Sequence, residues 1–181
     1  MFNEQKEIHA GNATDFRRIY NELMPLLYKI SYRVVGDEEA AEDLVHDSLI
    51  KANEKDLVFP SMDDAKFWLI RVVKNASLNY AKRKTREKKA YEKALREDTR
   101  KVDSGETELL KAEAKQKILR ALDKLPENLR MVLILREYTE MNYKEIGRVM
   151  GITEGNVKVR VFRAREQLAK LLGEEDVYLP Q

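Results

Sequence analysis

Cysteine is absent from the 181 residues, which excludes a disulfide framework, a thiol nucleophile and any cysteine-ligated metal, and removes dependence on an oxidising compartment. Histidine is nearly absent, with only His9 and His46, and no glycine-rich phosphate loop occurs. An enzyme therefore lacks its inventory: the sequence assigns no catalytic residue, no metal ligand and no cofactor. Long hydrophobic runs are missing too. No segment approaches the roughly 18 apolar residues that cross a bilayer, and Met1 to Gly11 is polar and charged, without a secretory-type apolar run. The expectation is a cytoplasmic protein with no membrane insertion. Four prolines and seven glycines leave long stretches uninterrupted, and none of them alternates apolar and polar residues long enough for a sheet. The predicted class is all-α.

Charge is what the chain has in abundance. Charged residues make up 36%, against about 25% in an ordinary soluble chain, yet 34 basic and 32 acidic residues nearly cancel. Their clustering carries the information. From Phe16, the apolar residues Ile19, Tyr20, Leu23, Leu27, Ile30 and Val34 recur at helical spacing, with Pro25 expected to kink or break the helix. Gly36 and Asp37 should end that helix and cap the next, whose buried stripe reads Ala41, Leu44, Val45, Ser48 and Ala52. Asp43, His46, Asp47 and Ile50 are left facing outward. Six acids between Asp37 and Asp47, with no Lys or Arg from Val34 to Ile50, make that face acidic. A third helix starts at Asp63 and Asp64, with Ala65, Trp68, Leu69, Val72, Val73, Ala76 and Tyr80 inward. Arg71, Lys74, Asn75, Asn79, Lys82 and Arg83 avoid that core face and form a strip of donors suited to phosphates and base edges.

Lys82 to Lys101 holds ten basic and four acidic residues and can bury little. Its first half reads as a continuing basic helix, and the segment around Arg96 to Thr107, with Asp103, Ser104 and Gly105, as a solvated linker. The chain thus divides into two small helical domains, 1–95 and 113–181, joined by a flexible linker at 96–112. Apolar periodicity resumes at Leu109 near the linker's end and continues through Ile118, Leu122 and Leu125, and Pro126 starts a helix carrying Leu129, Val132, Leu133 and Leu135. Tyr143 to Met150 is a short helix with Ile146 inward; Gly147 allows close packing, Gly151 takes the turn, and Thr153 caps a longer helix. This is a helix-turn-helix. Val157, Val161, Ala164 and Leu168 must face the domain, so Val159, Phe162, Arg163 and Glu166 point outward with Lys158 on the flank. An exposed Val and Phe among Lys158, Arg160, Arg163 and Arg165 suit a helix in a major groove, where Arg can grip guanine and apolar atoms can meet thymine methyls.

Residues 125–168, LPENLRMVLILREYTEMNYKEIGRVMGITEGNVKVRVFRAREQL, closely resemble the fourth conserved region of the extracytoplasmic-function (ECF) sigma factors of the sigma-70 family. Asp43 to Ala52, DLVHDSLIKA, resembles the family's second region, and residues 67–83, FWLIRVVKNASLNYAKR, its minus-ten reading segments. The resemblance implies a bacterial transcription initiation factor whose partners are core RNA polymerase, through the clamp helices of the largest subunit and the flap region, and promoter DNA. An anti-sigma factor is a common further partner in the group. It also implies a cytoplasmic protein that joins the nucleoid when bound to polymerase. By position, Asp43, His46, Asp47 and Ile50 would dock on polymerase. Asn75 matches the asparagine that contacts a flipped minus-ten base and Phe59 a pocket aromatic, with Arg71, Lys74, Asn79, Lys82 and Arg83 beside them. Arg136 would hold a phosphate, and Lys158, Phe162 and Arg163 would face the minus-thirty-five element together with Val159, while Arg160 and Arg165 hold phosphates or the domain's own acids. His46 stands where glutamine is usual, Lys158 where arginine is common, and Val159 where a small polar residue often lies. The competing reading is a stand-alone helix-turn-helix regulator with an N-terminal dimerisation or sensing module. It leaves Asp43 to Arg83 unexplained.

Overall fold

The computed structural model describes residues 7–95 and 109–173, except for the side chains of 92–95 and 109–116. Seven helices and one short ribbon appear among them. Helix α1 (Ala13–Val35) starts where Asn12 accepts from the Thr14 and Asp15 amides, and ends at Gly36, whose φ of 69° is the left-handed region that a side chain disfavours. Pro25 does not break it. Pro25 lies on the exposed side, where water can satisfy the carbonyl that its missing N–H leaves unpaired. Asp37 caps α2 (Glu38–Glu54) through the Ala40 amide, as expected. The α2 core stripe is shifted slightly: Leu49 is buried and Leu44 only half-buried, so the stripe runs Ala41, Val45, Ser48, Leu49 and Ala52.

Two strands of two residues, β1 (Ile8–His9) and β2 (Val58–Phe59), pair antiparallel, with Ile8 opposite Phe59. They are too short for a hydropathy alternation to signal them. Ser61 starts α3 (Met62–Leu95): its hydroxyl accepts from the Asp64 amide at 3.2 Å and donates to the Asp64 carboxylate at 2.6 Å. The basic stretch thus continues the helix through Leu95, while residues 96–108, most of the expected linker, lie outside the described residues. The remaining linker positions, 109–112, are the first turn of α4 (Leu109–Lys124). Helices α5 (Glu127–Tyr138), α6 (Tyr143–Met150) and α7 (Glu154–Leu172) follow.

Helix α1 packs on α2 and α3, and α7 on α4, α5 and α6. The two halves also touch, α3 against α6 and α1 against α5. One buried cluster therefore runs from Ile19, Leu27, Leu49 and Leu69 to Met131, Ile134, Ile146 and Val157. A second holds Ala121, Leu122, Leu125, Leu129, Leu133, Ala164 and Leu168. Full burial of a Leu or Ile stabilises by about 1.5 to 3 kcal/mol, so the shared cluster ties the halves into one body. Inside the first half the Ser31 and Ser77 hydroxyls meet at 2.9 Å, satisfying two polar groups that would otherwise be costly to bury.

Candidate nucleic-acid interface

The turn between α6 and α7 is built as its residues require. Asn142 and Glu145 form a reciprocal capping box, and Gly151 takes a φ of 69°. A Cβ at Gly147 would come within 2.6 Å of the Ile152 carbonyl oxygen, so only glycine permits this approach. Thr153 accepts from the Asn156 amide and starts α7. Val157, Val161, Ala164 and Leu168 are all buried, which turns the opposite face out: Phe162 is 70% exposed and Val159 48%. Arg163 is exposed beside them and Arg160 half-buried. Arg165 is held by the domain's own acid, Glu137, at 2.6 and 3.2 Å.

Arg136 and Lys158, distant in sequence, meet at one place. Arg136 donates to the Met141 carbonyl at 3.2 Å and lies 4.8 Å from the Tyr143 ring centre; Lys158 pairs with Glu154 at 3.0 Å and lies 6.0 Å from the same ring. With Lys144 they line a shallow hollow of about 440 Å³. Sequence reasoning passed over Lys144, which only the fold brings beside the other two.

Along α3, Asn75, Asn79 and Arg83 are exposed. Arg83 pairs weakly with Glu87 at 3.7 Å. The other three donors of the strip engage the C-terminal half. Arg71 donates to the Arg148 carbonyl at 2.8 Å, Lys82 pairs with Glu127 at 2.8 Å, and Lys74 is half-buried between them. Burial, reinforced by the Arg71 charge and offset by Glu127, lowers the Lys74 ammonium from its ordinary 10.5. Two cation–ring contacts add to the seam, Arg33 over Tyr138 at 4.3 Å and Arg148 over Phe67 at 5.9 Å. Below it opens a cleft of about 760 Å³, whose walls carry Lys82, Lys84, Arg86, Lys88 and Arg130. Arg130 meets Asp123 there at 2.6 Å. Burial raises the Asp123 carboxyl above its ordinary 3.8, against the opposing effect of Arg130.

Phe59 is 6% exposed and packs against Trp68, ring centres 5.7 Å apart. On α2, Asp43, Asp47 and Ile50 face solvent together. His46 instead turns inward, stacked on Tyr20 at 5.9 Å with Nε2 3.0 Å from the tyrosine hydroxyl. Asp37 caps α2 and meets Lys84 at 3.3 Å; the Ala40 amide and then Lys84 hold its carboxyl below 3.8. Among the described residues no cluster could hold a metal, and no helix is long and apolar enough to cross a membrane.

Residues 19–87 match the model of Sigma-70 region 2 and residues 115–168 that of Sigma-70, region 4. The chain is 27% identical over 179 residues to the ECF RNA polymerase sigma factor SigW of Bacillus subtilis, covering 92% of this chain and 94% of that protein. It is 32% identical over 135 residues to the ECF RNA polymerase sigma-E factor of Haemophilus influenzae, covering 70% and 71%. Its fold is like that of the sigma factor RpoE of Bartonella quintana, solved with the anti-sigma factor NepR (TM-score 0.63, 24% identity, 91% of this chain and 100% of that one). CnrH, solved with the cytosolic domain of CnrY, is similar at the same TM-score (21% identity, 93% of each chain). These relatives are transcription factors rather than enzymes. Two sigma regions in family order, on a mainly helical frame ending in a helix-turn-helix, place the chain among the ECF sigma factors of the sigma-70 family, the initiation factors that direct RNA polymerase to promoters.

Proposed function

We propose a division of labour among three surfaces. The acidic face of α2, Asp43, Asp47 and Ile50 with His46 at its inner edge, docks on the clamp helices of the polymerase largest subunit, and the C-terminal domain meets the flap region. The α3 strip, Arg71, Lys74, Asn75, Asn79, Lys82 and Arg83, reads and helps open the minus-ten element, while Phe59, expected as a pocket aromatic, is buried against Trp68 and supports the loop before the strip instead of meeting DNA itself. Recognition helix α7 reads the minus-thirty-five element with Lys158, Val159, Phe162 and Arg163; Arg136 and Arg160 hold phosphates. The observation that carries this reading is the outward face of α7: a phenylalanine 70% exposed and a valine 48% exposed between cations, on a helix whose other side is fully buried. Apolar groups left in water beside arginines suit thymine methyls and guanine edges. An anti-sigma factor is a further expected partner, since the similar sigma factor RpoE of Bartonella quintana was solved with one.

A stand-alone regulator would bind its operator unaided, whereas a sigma factor binds promoter DNA well only with core polymerase. A mobility-shift assay with and without core enzyme tests this. The expected result is a shift that needs core enzyme and is weakened by Asp43→Lys with Asp47→Lys, both solvent-facing changes that leave the fold intact. An equal shift without core enzyme refutes the reading, and unchanged core association by the double variant removes the acidic face from it.

A further inference from the structure

Residues 7–12 read as featureless polar chain, yet Ile8 is 3% exposed and Ala10 fully buried. They are strapped to the loop that precedes α3. Ile8 pairs with Phe59 and His9 with Val58, the Ala10 amide donates to the Leu57 carbonyl at 2.8 Å, and the Asn53 amide group donates to the Ala10 carbonyl at 2.7 Å. Asp56 sits at a φ of 45°, the one described non-glycine residue in the left-handed region, and its carboxylate accepts from the Gly11 amide at 3.2 Å. Such a conformation costs energy and persists where its surroundings fix it. A Cβ on Gly11 would lie 2.2 Å from that carboxylate oxygen, so a side chain there would push the Asp56 carboxylate off the Gly11 amide.

From this geometry we infer that the strap of Ile8 to Gly11, with Asn53 and Asp56, positions the Leu57–Phe59 loop for opening the minus-ten element. This deepens the proposed reading of Phe59 and Asn75 and rests on it. A short loop before a helix has few contacts of its own to hold its backbone. Here strand pairing fixes Val58 and Phe59, Asn53 reaches from α2 to lock the strap, and the Asp56–Gly11 contact holds the turn between them. Phe59 is then pressed onto Trp68 of α3, the helix that carries Asn75. The strap residues are positioning residues, acting through the loop; the Ile8 and Ala10 side chains are buried and so closed to DNA.

The test uses the full chain with core polymerase, and compares Asn53→Ala and Gly11→Val with wild type and Asn75→Ala. Strand opening is read by permanganate at matched promoter occupancy, on a duplex promoter and on one pre-melted across the minus-ten element. The strap variants should open the duplex about three- to tenfold less, the factor expected for loss of one intramolecular hydrogen bond. They should also broaden base preference within the minus-ten element, work normally on the pre-melted template, and keep the minus-thirty-five preference. A purely structural role would lower the melting temperature and occupancy without changing minus-ten preference, and that result overturns the inference. So does opening that increases, which would make the strap a gate. If Asn75→Ala impairs opening and both strap variants do not, only the strap falls; if all three open normally, the minus-ten reading falls with it.

Discussion

The two surfaces proposed to meet DNA differ in how much of themselves the protein has already used. On α7 the outward side chains make few contacts with the rest of the protein: Lys158 has a partner one turn away, and Phe162 and Val159 stand in solvent. On α3 the donors are divided. Asn75 and Asn79 are exposed, but Arg71 and Lys82 are bonded to the C-terminal half and Lys74 is half-buried at the same seam. DNA that used all six donors of the strip would have to displace α6 and the start of α5. The proposed reading face of α7 is therefore open as it stands, whereas the α3 strip becomes fully available only as the halves separate. The exposed asparagines are the part of the strip open from the start.

The comparison is broken most strongly at Arg163. Arg163→Ala should cost about 1 to 3 kcal/mol in promoter binding and flatten preference at one upstream position if the side chain grips a guanine. Transcription from a library randomised across the upstream element, run at two salt concentrations, reads this. Uniform weakening with unchanged base preference, and a salt slope reduced by about one, would make Arg163 a phosphate clamp. Removing Asn75 should have a smaller effect confined to opening. Asn75→Ala leaves closed-complex binding near wild type and lowers strand opening by the equivalent of about 0.5 to 1.5 kcal/mol, because its proposed partner is an extruded base absent from duplex DNA. Permanganate footprinting at matched occupancy checks it, and equal opening by both proteins would sink the assignment.

Both surfaces were legible in the sequence but the cover over one of them was not, for a physical reason. Gly147, Gly151, Thr153 and the Val157–Leu168 stripe each respond to local geometry, so the turn and the outward face of α7 follow from neighbouring residues. The donor strip on α3 is equally local, and the helix that carries it was readable through Leu95. What covers it is not. Arg71 bonds a backbone carbonyl, which has no sequence signature, and Lys82 chooses Glu127 from 32 acids only because the halves pack as they do. His46 shows the same limit: helical spacing places it beside Asp43 and Asp47, but nothing local reveals Tyr20 waiting on α1. Pro25 does not break its helix and Leu44 is only half-buried, because the direction each faces depends on the packing of whole helices. A lone isoleucine in the polar segment 7–12 was the only trace of the strap.

The seam itself can be loosened by charge. Glu127→Lys removes the Lys82 partner and places a cation opposite it, and a half-exposed pair of this kind is worth about 0.2 to 1 kcal/mol. The variant should bind a minus-ten single strand slightly better in the presence of core enzyme, an advantage that fades as salt rises. No gain at low salt would mean that the seam does not limit the strip.

Lys74 gives the smallest and most specific effect, because the side chain is only half-buried and solvent screens the rest. Its ammonium titrates below 10.5 in the packed protein, chiefly through burial and then through Arg71, with Glu127 opposing. Below the lowered value both the packed and the unfolded chain hold the proton, so the cost of burying the charge is fully present. As pH rises from that value towards 10.5 the packed form loses its proton first, and stability is gained across that window. Lys74→Met should therefore be more stable than wild type near neutral pH, with the difference shrinking as alkaline pH relieves wild type of the same cost. Urea unfolding of both proteins at about pH 7 and about pH 10 isolates the residue, since the other titrating groups are common to both. A difference that stays constant with pH would show that Lys74 carries no burial penalty at the seam, and a variant less stable at neutral pH would show that its attraction to Glu127 outweighs that penalty.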